Sequence, residues 1–282
     1  MDLFSLKDKV AIVTGACGLL GMQHCEALAV AGARVVVADL DEAAARLVAV
    51  GLSTAEPEGG HQRVGQAWPG HLGIRLDVTD RESLLAARQR ILDAYGRIDV
   101  LVNNAAINDM FENPLLAAEQ SMFEHYPLEM WDRSWKVNVS GVFLCSQVLG
   151  AVMAERGAGS IINIASTYGV VAPDQNIYKN AEGKQTFYKS PAYPVTKSAV
   201  IGFTKFLASY WGHRNVRVNA LSPGGVENSQ EEWFKQNYAG KTPLGRMAAP
   251  SDYQGAIVYL ASDASAYMTG ANLVVDGGWT AI

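Results

Sequence analysis

The stretch VAIVTGACGLLG, residues 10–21, decides the fold of this chain. Its first five residues form an apolar run that predicts a buried strand, and residues 18–31 have the composition of a helix that ends at Gly32. Glycines at such a strand-to-helix turn let the backbone turn tightly and approach a pyrophosphate, whose charge the helix N-terminus stabilises. The stretch therefore predicts the first unit of a nucleotide-binding sheet, with a merely tight turn as the alternative.

Apolar runs and helical stretches alternate along the rest of the chain. The strands are continuous apolar runs, which indicates burial on both faces. The sequence thus predicts an α/β fold: a single-domain doubly wound parallel sheet of the Rossmann type, with helices on both faces. We predict strands at residues 10–14, 34–38, 74–76, 99–102, 160–164, 217–221 and 272–276, and helices at 18–31, 42–50, after Asp80, and at 131–156, 192–211, 228–239 and 251–261.

Three polar segments interrupt this alternation, near residues 53–70, 108–127 and 173–191. We find no repeat and no linker, so we expect one domain over residues 1–282. The segment 173–191 is rich in tyrosine and polar residues. Loops of this length in a compact domain are usually functional or disordered, so this segment is a candidate functional loop.

Composition limits the classes of function. The 282 residues carry 23 Lys and Arg against 28 Asp and Glu, a net charge of −5 at pH 7, and no basic run that would indicate nucleic-acid binding. We expect no apolar run to be long enough to span a membrane. Because Cys17, Cys25 and Cys145 lack CxxC spacing, we expect free thiols in a reducing cytoplasm. The histidines show no ligand spacing, so we expect no metal.

A carboxylate, Asp39, ends the second predicted strand, about 20 residues after the glycines. In a dinucleotide-binding unit, a carboxylate at this place accepts hydrogen bonds from the ribose hydroxyls. The neighbouring Leu40 and Asp41 are not basic, and neither are Ala16 and Cys17 of the glycine loop, so no cation is available for a 2′-phosphate. The sequence predicts NAD rather than NADP. The alternative, a solvated loop aspartate, suits Asp41 better than Asp39.

A second motif is Tyr193-Pro194-Val195-Thr196-Lys197, on the predicted helix 192–211. Residues four apart lie on one face of a helix. An ammonium beside a phenol favours the phenolate, so we expect Lys197 to lower the pKa of Tyr193 toward the range of a working base. Alone this spacing is a weak signal, and a packed tyrosine beside a solvated lysine is the alternative.

Further motifs make the chain resemble the short-chain dehydrogenase/reductase family almost from end to end. In family order they are the glycine loop, Asp77-Val78, Asn103-Asn104-Ala105-Ala106, the segment VNVSG at 137–141, Ser166, Tyr193, Lys197 and Pro223-Gly224. The resemblance implies a catalytic tetrad of Asn138, Ser166, Tyr193 and Lys197. It implies cofactor contacts from Gly15, Cys17, Gly18, Leu19, Leu20, Asp39, Leu40, Asp77, Val78, Asn104, Ala105, Ala106, Tyr193, Lys197, Pro223, Gly224 and Val226.

The resemblance also implies a function: an NAD-dependent oxidoreductase that interconverts a secondary alcohol and a ketone. Within the family, the chain is similar to a bacterial branch acting on sugars and polyols, associated with gluconate oxidation and flagellin or surface-sugar biosynthesis. A nucleotide-sugar epimerase or dehydratase with recycled NAD is the alternative, and a non-enzymatic cofactor sensor is a third. We expect a cytoplasmic homotetramer or homodimer, with Phe203, Phe206 and Tyr210 facing outward.

The chain departs from the family pattern in three places. Leu19 replaces a common glycine of the loop. Ser166 and Tyr193 are farther apart than is usual, because the segment 173–191 lies between them, and we expect that segment to fold over the substrate. Asn228 stands where many relatives have a threonine that contacts the nicotinamide amide.

Overall fold

Seven parallel strands form one sheet in the computed structural model, which describes residues 3–53, 70–108 and 117–282. The strands are β1 Val10–Thr14, β2 Arg34–Asp39, β3 Leu72–Arg75, β4 Val100–Asn103, β5 Gly159–Ile164, β6 Val216–Pro223 and β7 Asn272–Val275. They lie in the order β3-β2-β1-β4-β5-β6-β7, and each pairs in parallel with its neighbours. The predicted doubly wound parallel sheet is confirmed.

Helices connect the strands. They are α1 Leu19–Val30, α2 Glu42–Ser53, α3 Arg81–Tyr95, α4 Leu128–Arg156, α5 Ala192–Trp211, α6 Glu232–Ala239 and α7 Gln254–Ala261. The prediction that α6 begins at residue 228 was wrong. Ser229 has φ +56°, in the left-handed region, and the Asn228 N–H donates to Gln230 Oε1 at 2.6 Å, so residues 228–230 form a turn before the helix.

Two apolar cores cover the two faces of the sheet. In β1, Val10 and Ile12 belong to the core beneath α3, α4 and α5, whereas Ala11 and Val13 belong to the core beneath α1, α2 and α7. All four side chains are fully buried. This is why the strand reads as a continuous apolar run rather than as an alternating one. The helices are thus held on both faces, as predicted.

The helix α4 departs from the expectation that no apolar run is long enough to span a membrane. By length and composition it is long and apolar enough to cross a membrane, so the expectation of no such run was wrong. In the fold, 56% of its most apolar window is buried, and Val142, Leu149 and Met153 are core residues. Core helices of globular proteins pass the same test, and the cytoplasmic location stays a prediction.

The insertion expected near 53–70 falls largely outside the described ranges, as do residues 109–116 of the one expected near 108–127. The described part of the latter contains a short helix, Ala117–Gln120, and a 3-10 helix, Phe123–His125. The third, 173–191, is a folded segment rather than an irregular loop. It contains a 3-10 helix, Gln175–Tyr178, and an antiparallel bridge from Lys179 to Gln185. The Asn237 amide of α6 donates to the Ile177 and Lys179 carbonyls at 3.1 and 2.9 Å, so the segment is fastened to α6.

Candidate active site

The predicted site residues gather at the carboxyl edge of the sheet, where β1 lies between β2 and β4. Outward from this point, the strands follow the chain in opposite directions, from β1 to β3 on one side and from β4 to β7 on the other. In open α/β sheets, ligands bind in the crevice outside the strand ends at this switch point.

The glycines of the loop after β1 have separate functions. Gly15 has φ +59°, and a Cβ there would lie 2.8 Å from Ala105 Cα. A Cβ at Gly21 would collide with the Gly15 carbonyl. The backbone conformation therefore requires glycine at both positions. Gly18 is exposed and directly precedes α1 as its N-cap residue, and no described side chain caps the helix there. The helix N-terminus is therefore available to an anion.

Asn104 and Thr14 fix this loop against β4. The Asn104 amide donates to the Thr14 and Gly15 carbonyls at 2.9 and 3.0 Å, and Thr14 Oγ1 accepts the N–H groups of Asn104 and Ala105 at 3.0 and 3.1 Å. The side chain of Asn104 thus holds the loop, a function that the motif alone did not reveal. The cofactor contacts of Asn104, Ala105 and Ala106 stay predictions.

Asp39 lies beside the loop. Its Oδ2 accepts the Cys17 N–H at 2.9 Å, and Leu40 next to it is 61% exposed. Burial and the Asp39 carboxylate raise the pKa of Cys17 to about 11, so the thiol stays protonated. An open helix N-terminus next to a carboxylate fits an adenine dinucleotide, with the pyrophosphate at the loop and the ribose at Asp39.

The remaining predicted contacts occupy the same edge. Asp77 Oδ1 accepts both the N–H and the hydroxyl of Thr79 at 2.8 Å, which orders the turn after β3. Val78 is buried against Gly141 of α4, where an added Cβ would lie 2.8 Å from Val78 Cγ2. Their predicted contacts with the cofactor are consistent with this position and stay predictions.

The turn after β6 carries Pro223, Gly224 and Val226. The Gly224 N–H donates to the Val275 carbonyl at 2.9 Å, and Val226 forms a bridge with Ala248. This places their backbone at the strand ends, as a cofactor contact requires. Asn228 beyond them is exposed, so its contact with a nicotinamide amide stays untested.

The structure brings Ser166, Tyr193 and Lys197 together. The Ser166 side chain, just after β5, lies near enough to the Tyr193 phenol, at the start of α5, to lower the pKa of that phenol. Lys197 is buried one turn later, 5.7 Å from the Tyr193 ring centroid, and its Nζ donates to the Ile164 carbonyl at 2.7 Å. The spacing of the motif thus produces the predicted neighbours.

Asn138 lies in a π-helical stretch of α4, Lys136–Ser140, a distortion often found at functional sites. Its amide donates to the Ile107 carbonyl at 2.9 Å and to Thr196 Oγ1 at 3.2 Å, and its Oδ1 accepts the Ile107 N–H at 2.8 Å. Asn138 therefore connects α4, α5 and the segment after β4. Its place in the catalytic tetrad stays a prediction.

The expectation that Lys197 lowers the pKa of Tyr193 is not met in this structure. Burial raises the pKa of the Tyr193 phenol, and Ser166 opposes this only in part. Burial also lowers the pKa of Lys197 to about 8. The physical reason is desolvation, which disfavours the charged forms of both groups. Tyr193 is thus protonated at neutral pH in this structure.

One residue at the site, Lys189, was not predicted from the sequence. Lys189 belongs to the segment 173–191, and its Nζ lies 4.2 Å from the Tyr193 ring centroid. The same Nζ donates to Asn108 Oδ1. Lys189 precedes Tyr193 by four residues, and this spacing was the only available signal.

No group of three or more His, Cys, Asp or Glu side chains within the described residues is arranged to hold a metal ion. The three cysteines are free thiols. The site therefore consists of an open glycine loop, the Asp39 carboxylate beside it and a Ser-Tyr-Lys group. These define a dinucleotide-binding oxidoreductase as the class of protein.

Comparisons with known proteins agree with this class. A family model described as enoyl-(acyl carrier protein) reductase matches residues 15–280. The chain is 37% identical to D-threitol dehydrogenase of Mycolicibacterium smegmatis, over 98% of this chain and 95% of the relative. It is 36% identical to trans-4-hydroxycyclohexanecarboxylate dehydrogenase of Sinomonas cyclohexanicum, over 97% and 93%.

Among solved structures, a gluconate 5-dehydrogenase from Burkholderia cenocepacia J2315, in complex with NADP and tartrate, has a TM-score of 0.82 and 28% identity. The alignment covers 100% of this chain and 98% of that one. The chain belongs to the short-chain dehydrogenase/reductase family, as its motifs indicated. Members of this family use a nicotinamide cofactor and act on CH–OH groups.

Proposed function

We propose that this protein is an NAD-dependent dehydrogenase that oxidises a secondary alcohol of a sugar, a polyol or a related small molecule to a ketone. The observation that supports this best is the placement of Lys197 and Ser166 next to Tyr193, at the sheet edge that also carries the open glycine loop. The relatives named for threitol, a hydroxycyclohexanecarboxylate and gluconate support the substrate class.

The residues divide the chemistry between them. Bound NAD would supply the hydride acceptor and a positive charge beside the buried phenol. Tyr193 takes the hydroxyl proton of the substrate as its general base. Ser166 donates a hydrogen bond to the developing alkoxide or carbonyl oxygen. Lys197 holds the cofactor ribose and adds its charge near Tyr193. Asp39 and the glycine loop hold the adenosine half.

Accumulation of NADH in bulk tests this function. The protein is incubated with NAD and a panel of sugars, polyols, hydroxy acids and nucleotide-sugars, and absorbance at the reduced-cofactor band is followed. We expect a lasting rise with at least one compound. An epimerase or dehydratase would consume a nucleotide-sugar without a lasting rise, and that result would replace the proposal by its alternative.

We further propose that the protein is a homotetramer or homodimer. Phe206 and Tyr210 of α5 are 61% and 60% exposed, and their rings stack at 5.9 Å. Phe203 stacks on Phe206, and Phe143 of α4 contacts Phe203 edge-on. Phe203 is partly buried rather than facing outward as expected. A monomer would leave this aromatic stripe in water.

Sedimentation equilibrium at the assay concentration tests the assembly. We expect a dimer or tetramer, and we expect Phe206→Lys to shift the population toward monomer, because the lysine charge would be buried between subunits. Tyr267→Lys is the matched control, since Tyr267 is an exposed aromatic residue outside the stripe. A monomeric wild type, or equal effects of the two substitutions, would contradict the proposal.

A further inference from the structure

Lys189 occupies a position that the mechanism above does not use. Its Nζ lies 4.2 Å from the centroid of the Tyr193 ring, closer than the 5.7 Å of Lys197. Cations within about 6 Å of an aromatic centroid are held by the ring. Two lysines therefore lie near the ring of the proposed base, and the family motif accounts for one of them.

The backbone holds Lys189 in this place. Gln175 Oε1 accepts the Lys189 N–H at 2.8 Å, and Gln175 Nε2 donates to the Lys189 carbonyl at 3.2 Å. Gln185 Nε2 in turn donates to the Gln175 carbonyl at 2.8 Å. The same segment is fastened to α6 through Asn237. Because its N–H and its carbonyl are both hydrogen-bonded, the backbone of Lys189 is fixed. This preorganises the side chain, as is usual for residues that determine specificity.

A cavity of about 430 Å³ adjoins Lys189. Its other lining residues come from the segment 121–124, from the segment 173–191 and from the first turn of α5. Its charged lining residues are Lys189 and Glu124, the latter exposed. The volume lies within the usual range for a small-molecule site. Lys189 thus adjoins both this cavity and Tyr193.

We infer that Lys189 determines specificity by binding a substrate carboxylate, so that the preferred substrate is a hydroxy acid rather than a neutral polyol. This inference rests on the proposed function and narrows its substrate class. An ammonium forms a strong, charge-assisted hydrogen bond with a carboxylate. Because Lys189 lies on the face of Tyr193, an acid held there places a carbinol a few bonds away within reach of the phenol.

The single lysine that lines the cavity favours a singly charged carboxylate over a phosphate. Lys189 is the one basic side chain among its described lining residues. A single ammonium matches one negative charge, whereas a phosphate monoester carries nearly two and would need further donors. The same argument disfavours a nucleotide-sugar, whose pyrophosphate would also require more cations.

The test compares acids with amides of the same shape. The probes are D-gluconate with D-gluconamide, and trans-4-hydroxycyclohexanecarboxylate with its amide, and kcat and KM are measured for each with NAD. We expect the wild type to favour the acid of the accepted pair by roughly 10- to 100-fold in kcat/KM, mainly through KM. D-Glucitol and D-glucitol 6-phosphate complete the panel.

Three lysine variants separate charge from structure. Lys189→Met is expected to lower kcat/KM for the acid by roughly 10- to 100-fold and bring the acid-to-amide ratio near one. Lys189→Arg keeps the charge and should retain a preference for the acid. Lys184→Met, an exposed lysine of the same segment, is the control and should match the wild type.

The outcomes are distinct. If neutral polyols or glucitol 6-phosphate are preferred to the acids, the proposed function stands and this inference fails. If Lys189→Met lowers acid and amide equally and shifts the pH profile, Lys189 acts on Tyr193 and the inference also fails. If no compound in any panel reduces NAD, the proposed function itself fails.

Discussion

Tyr193→Phe is expected to lower kcat by roughly 10²- to 10⁴-fold while NAD affinity changes little. The substitution removes one oxygen, the atom that lies near Ser166 and that would take the substrate proton. The ring stays, so the packing of Lys189 on its face is kept. Steady-state kinetics with any accepted alcohol measures kcat, and quenching of tryptophan fluorescence measures NAD binding.

Two further variants make this prediction specific. Tyr168→Phe is the matched control, because Tyr168 is a nearby, partly buried tyrosine whose hydroxyl contacts the Tyr178 hydroxyl at 3.4 Å. We expect it to keep most of the activity. Lys197→Ala should weaken both turnover and NAD binding, since it removes the buried ammonium beside the site. Substantial turnover by Tyr193→Phe, or an equal loss in Tyr168→Phe, would exclude Tyr193 as the base.

The fold could be predicted because its signals are local. Strand β1 and residues 35–38 of β2 are continuous apolar runs, and Gly15 and Gly21 mark a turn that only small residues permit. The start of α6 could not be predicted, since the left-handed conformation of Ser229 and the Gln230 hydrogen bond to Asn228 are side-chain and turn effects without a periodic pattern.

The sequence predicted that Tyr193 and Lys197 are neighbours, but it did not predict their electrostatics. The spacing from Tyr193 to Lys197 fixes their proximity on a helix, yet the direction of the Tyr193 pKa shift depends on burial, which is a tertiary property. Lys189 was missed for a related reason. It reaches Tyr193 because Gln175, fourteen positions earlier in the chain, grips its backbone, and no local pattern encodes that contact.

Asp39 is expected to make the enzyme prefer NAD over NADP by roughly thirty-fold to a thousand-fold in kcat/KM. The carboxylate ends β2 beside the glycine loop, where it accepts the Cys17 N–H at 2.9 Å. There it can also accept hydrogen bonds from the ribose hydroxyls. A 2′-phosphate would remove one such bond and add repulsion, which together cost about 2–4 kcal/mol.

Asp39→Ala should reduce the preference to less than about tenfold, by weakening NAD and relieving the repulsion toward NADP. Asp41→Asn is the control. Asp41 Oδ1 accepts the N–H groups of Ala43 and Ala44 at 2.9 and 3.0 Å, so it caps α2, and an asparagine can keep that cap. Dissociation constants for NAD and NADP, measured without substrate, separate binding from turnover. Equal kcat/KM values in the wild type, or a preference unmoved by Asp39→Ala, would show that the ribose lies elsewhere.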